Sequence, residues 1–170
     1  MASLGHVAIG VAAGRFWTHR TSAQPFRAMV AFSALSLAPD LDVIAFRLGI
    51  PYSAPFGHRG AAHSICAALV LASLVTLATR AGQNRARLWL FCAFVATSHG
   101  LLDAMTDGGL GIALLWPFSN ERYFAPWTPI PVAPIGSGML TMSGLRVVTT
   151  EAAQFAPLLI WSFWPRRRAS

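Results

Sequence analysis

Five apolar runs, divided by short arginine-bearing segments and one long Gly/Pro/aromatic stretch, constrain this chain more than any other feature. They cover residues 3–17, 26–46, 63–79, 88–105 and 151–164. Each run is nearly devoid of the polar face that a water-exposed helix needs, so the pattern reads as helices in a membrane. A full span takes about 20 residues, with about 17 a usual lower limit. The first and fifth runs are therefore short, and are accommodated by less tilt, local thinning or packing inside protein. Composition agrees, with 11% of the 170 residues charged against about 25% in a soluble domain. The expectation is one domain over residues 1–170. It is an all-α polytopic membrane bundle of about four to five spans, with a Gly/Pro/aromatic-rich outer segment at 106–150.

Arginine carries the whole positive charge, at thirteen positions with no lysine. Placing the N-terminus outside and alternating the runs sends Arg15, Arg20, Arg27, Arg80, Arg85, Arg87, Arg166, Arg167 and Arg168 to one side. That clustering in short segments satisfies the positive-inside rule and puts the C-terminus in the cytoplasm. No positive charge precedes the first run, so it reads as an uncleaved segment and not a signal peptide. Dispersed arginines offer no solvated basic face, so nucleic acid is not an expected partner. Membrane lipids are expected, and the sequence leaves the oligomeric state open. Cys66 and Cys92 lie inside apolar runs without a CxxC spacing, and read as small buried hydrophobes.

The same orientation gathers the remaining ionisable groups. Asp40, Asp42, Asp103, Asp107, Glu121 and Glu151 fall outside or at outer span ends, with His6, His58, His63 and His99. Only His19 falls inside. Charge at that depth is costly and usually functional. "HGLLD" sets His99 and Asp103 one helical turn apart, a spacing that suits a divalent metal or a plain His–Asp hydrogen bond. "PDLD" puts Asp40 and Asp42 behind Pro39, which breaks or kinks the second run; Asp40 also suits a helix cap. "HRGAAHS" brings His58 and His63 around Arg59, a permanent cation able to grip a phosphate or to snorkel at the interface. His6 joins by depth alone. Such a set exceeds the needs of one zinc ion, which takes four ligands, or three and water. Two divalent ions suit it, and paired ions suit phosphoester hydrolysis.

An early histidine, then "PDLD", "HRGxxHS" and "SHGLLDxxTxxG" followed by "WPF", resembles the LexA-regulated, membrane-bound metal-dependent hydrolase family, also called YdjM-like. The resemblance runs from His6 to about Phe118 and implies a helical inner-membrane protein with hydrolase activity. Its polar positions carry over to His6, Asp40, Asp42, His58, Arg59, His63, His99, Asp103 and Thr106. Ala62 departs from the expected threonine or similar residue, removing one supporting hydrogen bond.

The expected ligands are thus His6, Asp42, His58, His63, His99 and Asp103, around zinc or a similar divalent ion. Asp40 or Asp42 is the expected general base, Arg59 the charge stabiliser, and Thr106 a further catalytic position. The expected substrate is a small-molecule or lipid phosphoester. A metal or proton transporter and a non-catalytic adaptor with a structural metal remain as alternatives.

Overall fold

Proline decides where the second helix starts and where it changes character. The computed structural model describes residues 4–19, 21, 23–79 and 84–165. Helix α1 is Leu4–Thr18 and α2 is Pro25–Leu37. Pro25 opens α2 at its first position, where a missing N–H leaves no bond unmade. Pro39 cannot donate to the turn before it, and the chain tightens into a 3₁₀ turn, Ala38–Val43. Helix α3, Ile44–Arg47, continues from that turn. After a loop and a short 3₁₀ turn, Ala61–His63, come α4 (Ile65–Ala78), α5 (Arg85–Ala104) and α6 (Met142–Phe163).

The all-helical class holds. The described residues contain no extended strand, only isolated bridges between Thr106 and Ile130 and between Ile112 and Tyr123. These bridges fold the segment after α5 back over that helix's end. Helix α6 starts at Met142, earlier than the expected run at 151, so the long segment is shorter than hydropathy suggested. Among the described residues one helical stretch, Pro25–Arg47, is long and apolar enough to cross a membrane, with 23 residues and a mean hydropathy of 1.6. Helices α1 and α4 have 15 and 14 residues, so length and composition alone do not establish four to five spans. Arg20, Arg80, Arg166, Arg167 and Arg168 lie outside the described residues.

Helix α1 packs on α2, α5 and α6, while α4 packs on α5. The α1–α2 contact is backbone-close. A Cβ on Gly10 would run into the backbone of Ser33, and one on Gly14 into that of Met29. Glycines four apart make this approach possible, as in membrane helix pairs. Helix α6 lies parallel to α1, because the contacts advance in the same sense along both. Glu151 accepts the Gly5 N–H at 3.2 Å, placing a carboxylate on the open first turn of α1. Nη1 of Arg15 donates to the carbonyls of Ser162 and Trp164 at 2.8 and 2.7 Å, closing the end of α6.

Towards the end of α1 that bears Arg15, the core is apolar. Trp17, Phe32 and Phe91 meet there, with Trp17–Phe91 ring centroids 5.2 Å apart, and Ala68, Ala72, Cys92 and Val95 fill the rest. The outward faces are apolar too. Leu69, Val70, Leu74 and Leu77 of α4 and Leu90, Phe94 and Leu101 of α5 are all exposed. Water-soluble monomers rarely present so broad an apolar surface.

Candidate metal centre

The buried polar groups collect at the other end of the bundle. His99 and Asp103 sit one turn apart on α5, both essentially inaccessible. Gly100 lets the chain ahead of α4 approach, since a Cβ there would lie 2.5 Å from the His63 carbonyl oxygen. Ser64 caps α4 by accepting the Ala67 N–H at 3.0 Å, which fixes His63 at the helix entrance. The 3₁₀ turn brings in Asp40 and Asp42, and α1 brings in His6.

Four donor atoms converge. Nε2 of His63 lies 2.9 Å from Nε2 of His99, 3.2 Å from Oδ2 of Asp103 and 3.7 Å from Oδ1 of Asp40. Nε2 of His99 lies 3.5 Å from the same Asp40 oxygen and 3.7 Å from the same Asp103 oxygen. A tetrahedral ion with bonds of about 2.1 Å needs donors about 3.4 Å apart. The five edges bracket that spacing.

The far ring nitrogens explain why this arrangement calls for a cation. Nδ1 of His99 donates to the Ser36 carbonyl at 2.7 Å, and a carbonyl only accepts, so that nitrogen carries the hydrogen. Nδ1 of His63 lies 3.1 Å from Oδ2 of Asp42, an ion-pair distance without hydrogen-bond geometry. The two Nε2 atoms face each other at 2.9 Å beside two carboxylates, and a lone pair on both would be repulsive. A proton on one ring or a metal ion between them removes the repulsion. Histidines held from behind by a carboxylate and a carbonyl are the usual support of a bound metal.

His6 adds a further donor. It is fully buried, its two ring nitrogens have no hydrogen-bond partner, and its ring stacks on His99 at 3.8 Å. A buried polar group without a partner is costly. Nε2 of His6 lies 3.6 Å from Oδ1 of Asp103, the oxygen that does not face His63 and His99. Asp103 therefore presents one oxygen to the four-donor set and the other to His6. The residues present fit one tetrahedral ion.

Other expected residues are placed differently. Asp42 and His58 form a chain behind His63: Nδ1 of His58 donates to Oδ1 of Asp42 at 2.6 Å, and Oδ2 of Asp42 accepts the Arg59 N–H at 3.1 Å. Asp42, His58 and His63 are themselves close enough to share an ion, but the first use of Asp42 here is to hold the loop and the His63 ring. Asp40, expected as a general base, is within the four-donor set, and its side chain is 25% exposed where its three companions are at most 2%. Arg59 is buried with a left-handed backbone, φ 60°, a conformation that costs a non-glycine residue about 1–3 kcal/mol. Its Nη1 donates to Thr106 Oγ1 at 2.8 Å and to the Gly108 carbonyl at 3.1 Å, and its Nε lies 3.5 Å from Asp103. Thr106 in turn donates to the Asp103 carbonyl at 2.7 Å. Thr106 and most of Arg59 thus brace Asp103.

Two supporting residues had no signal in sequence. The Ser36 carbonyl is backbone and invisible there. Arg122 donates to the carbonyls of His58, Tyr52 and Ala54 at 3.0, 2.8 and 3.1 Å, pinning the loop that carries His58. It also lies 5.7 Å over the Tyr52 ring. Burial raises the Tyr52 phenol above its ordinary range, so it stays neutral.

The family described as "YdjM inner membrane protein" matches residues 1–167 of the chain. "Inner membrane protein YbcI" of Escherichia coli (strain K12) is 40% identical over 150 residues, covering 85% of this chain and 87% of that protein. No solved structure matches.

Proposed function

The chain belongs to the YdjM inner membrane protein family, and from that premise we propose that it is a divalent-metal-dependent hydrolase of the inner membrane acting on a phosphoester. One observation carries the reading: two imidazole Nε2 atoms and two carboxylate oxygens gather around a common centre with zinc-like spacing. Zinc fits the mixed nitrogen and oxygen donors best, with a second ion beside His6. When bound, such an ion would polarise a phosphoryl oxygen and lower the pKa of water.

The chain's own residues divide the remaining work. His63, His99 and Asp103 are the closed side of the cage. Asp40 is the most exposed of the four donors, so it is the one able to leave the fourth position to water or substrate. A carboxylate there accepts the proton of an attacking water, within reach of the three fixed donors. Asp42 holds the His63 ring, and Arg59 and Thr106 hold Asp103. A conducting pathway for metal or protons would need polar groups through the bundle, and Trp17, Phe32 and Phe91 close the other end. In this reading, which rests on the positive-inside rule, the cluster lies at the outer leaflet with the N-terminus outside.

Metal analysis of the purified protein, then a phosphoester screen with and without chelator, tests this reading. One or two tightly held ions and chelator-sensitive phosphate release are expected. Protein that folds and stays metal-free in zinc-containing buffer would overturn it.

A further inference from the structure

A cavity of about 590 Å³ opens beside the metal centre, between the 3₁₀ turn and α3, the loop carrying His58 and Arg59, and residues 132–139. Its size is that of a small-ligand site. Asp40, His58 and Arg59 line it, so it opens on the exposed vertex of the four-donor set. Its walls are apolar, including Val43, Phe46, Val132, Ile135 and Met139. Two cations serve it. Nη1 of Arg59 is committed to Thr106 and Gly108, and the residue lines the cavity with its guanidinium charge. Arg47 lines the cavity from α3 and is itself exposed. Close in sequence to the lining residues, Leu41, Ile44, Leu48 and Leu140 stand out at 73%, 60%, 70% and 91% exposure.

We propose that this cavity binds the phosphate headgroup of an amphiphile whose tail remains among the apolar side chains at the rim. Each half of the lining excludes a simpler ligand. A water-soluble phosphate would leave Phe46, Val132 and Ile135 facing an empty apolar wall. A neutral or cationic amphiphile would bury its head against Arg47, for which no carboxylate partner is seen among the described residues. An anionic headgroup takes its donors chiefly from the exposed Arg47, with the charge of Arg59 behind it, and charged hydrogen bonds to phosphate are the strong kind. The tail stays with Leu41, Ile44, Leu48 and Leu140, which then need no protein cover. The substrate side of this proposal rests on the hydrolase reading, because Asp40 at the cavity floor links headgroup to centre; the binding itself does not require turnover.

Calorimetric titration in neutral maltoside micelles tests it, with dodecyl phosphate, inorganic phosphate and dodecyltrimethylammonium as probes. Dodecyl phosphate is expected to bind at least about tenfold more tightly than inorganic phosphate, from the buried chain. Dodecyltrimethylammonium should show no saturable binding. Arg47→Glu, at an exposed position that folding does not need, should weaken dodecyl phosphate by about tenfold or more; Arg47→Lys should recover part of it. Ile135→Asp should weaken dodecyl phosphate and leave inorganic phosphate unchanged. Equal affinity for the two phosphates, or full affinity in Arg47→Glu, would overturn the proposal. Asp103→Asn separates this outcome from the hydrolase question, because it disables the centre and leaves Arg47 and the apolar walls in place. Arg47-dependent binding in that variant upholds the headgroup site even if no phosphoester is cleaved, and hydrolysis of soluble esters without such binding upholds only the enzyme.

Discussion

Asp42 and His63 meet at 3.1 Å, carboxylate Oδ2 to ring Nδ1, on the side of the ring turned away from the four-donor centre. The other ring nitrogen, Nε2, lies 3.7 Å from Asp40. The two aspartates of "PDLD" therefore address opposite nitrogens of one histidine. The first prediction separates support from ligation. Asp42→Asn keeps the shape and removes the charge behind the ring. Loss of such support typically costs 10–100-fold in metal affinity, so about that weakening is expected, with the number of ions at saturation unchanged. Competition against a chromophoric chelator measures both. A lower ion count at saturation would make Asp42 a ligand, and unchanged affinity would remove its supporting role.

His6 and Asp103 give a second prediction, in ion number. His6 reaches only the outer oxygen of Asp103, whereas Asp103 serves both sides. His6→Ala should reduce the ions held per chain from two to one and spare the tetrahedral site. Asp103→Asn should lower both. Elemental analysis of the two variants, each compared with wild type after the same dialysis, reads the difference. Retention of full metal by Asp103→Asn would sink the four-donor assignment.

What the sequence made legible follows from how local each interaction is. The pairing of His99 with Asp103 depends only on the helical period, and α5 places both inside. The role of Asp42 was not readable, because it depends on a 3₁₀ turn that sends residues two apart in different directions. The inward commitment of Arg59 depends on Thr106 and Gly108, nearly fifty positions away. Glycines four apart at Gly10 and Gly14 were visible, but what they pack against is a tertiary fact. The early start of α6 was hidden by the polar run Thr149–Glu151, which hydropathy reads as loop; Glu151 is buried there against the first turn of α1.

Arg59 carries the third prediction. Its guanidinium faces the buried Asp103 carboxylate and holds the segment after α5 through Thr106 and Gly108. Removing one partner of a buried pair costs about 3–5 kcal/mol when the remaining charge is uncompensated. A bound cation compensates Asp103, so Arg59→Ala should lose more thermal stability without metal than with it. Melting curves of both proteins, with zinc and with chelator, test this coupling. Arg59→Gly should recover part of the loss, since glycine adopts φ 60° without strain. An equal loss in both metal states would reduce Arg59 to a local brace with no bearing on the centre.

The last prediction concerns which way the bundle faces. Arg15 near the end of α1 closes the last carbonyls of α6, and Glu151, about midway along α6, meets the start of α1. The two helices run parallel, so their C-terminal ends lie on one side and the metal cluster lies towards the other. The positive-inside rule assigns the arginine-bearing side to the cytoplasm. A reporter fused after residue 170 should therefore read cytoplasmic, and Asn120→Cys, in the exposed segment after α5, should react with a membrane-impermeant thiol reagent in intact spheroplasts. Shielding of that cysteine until the membrane is opened, together with a periplasmic C-terminal reporter, would invert the bundle. The donors would then face the cytoplasm, and the amphiphile would have to come from the inner leaflet.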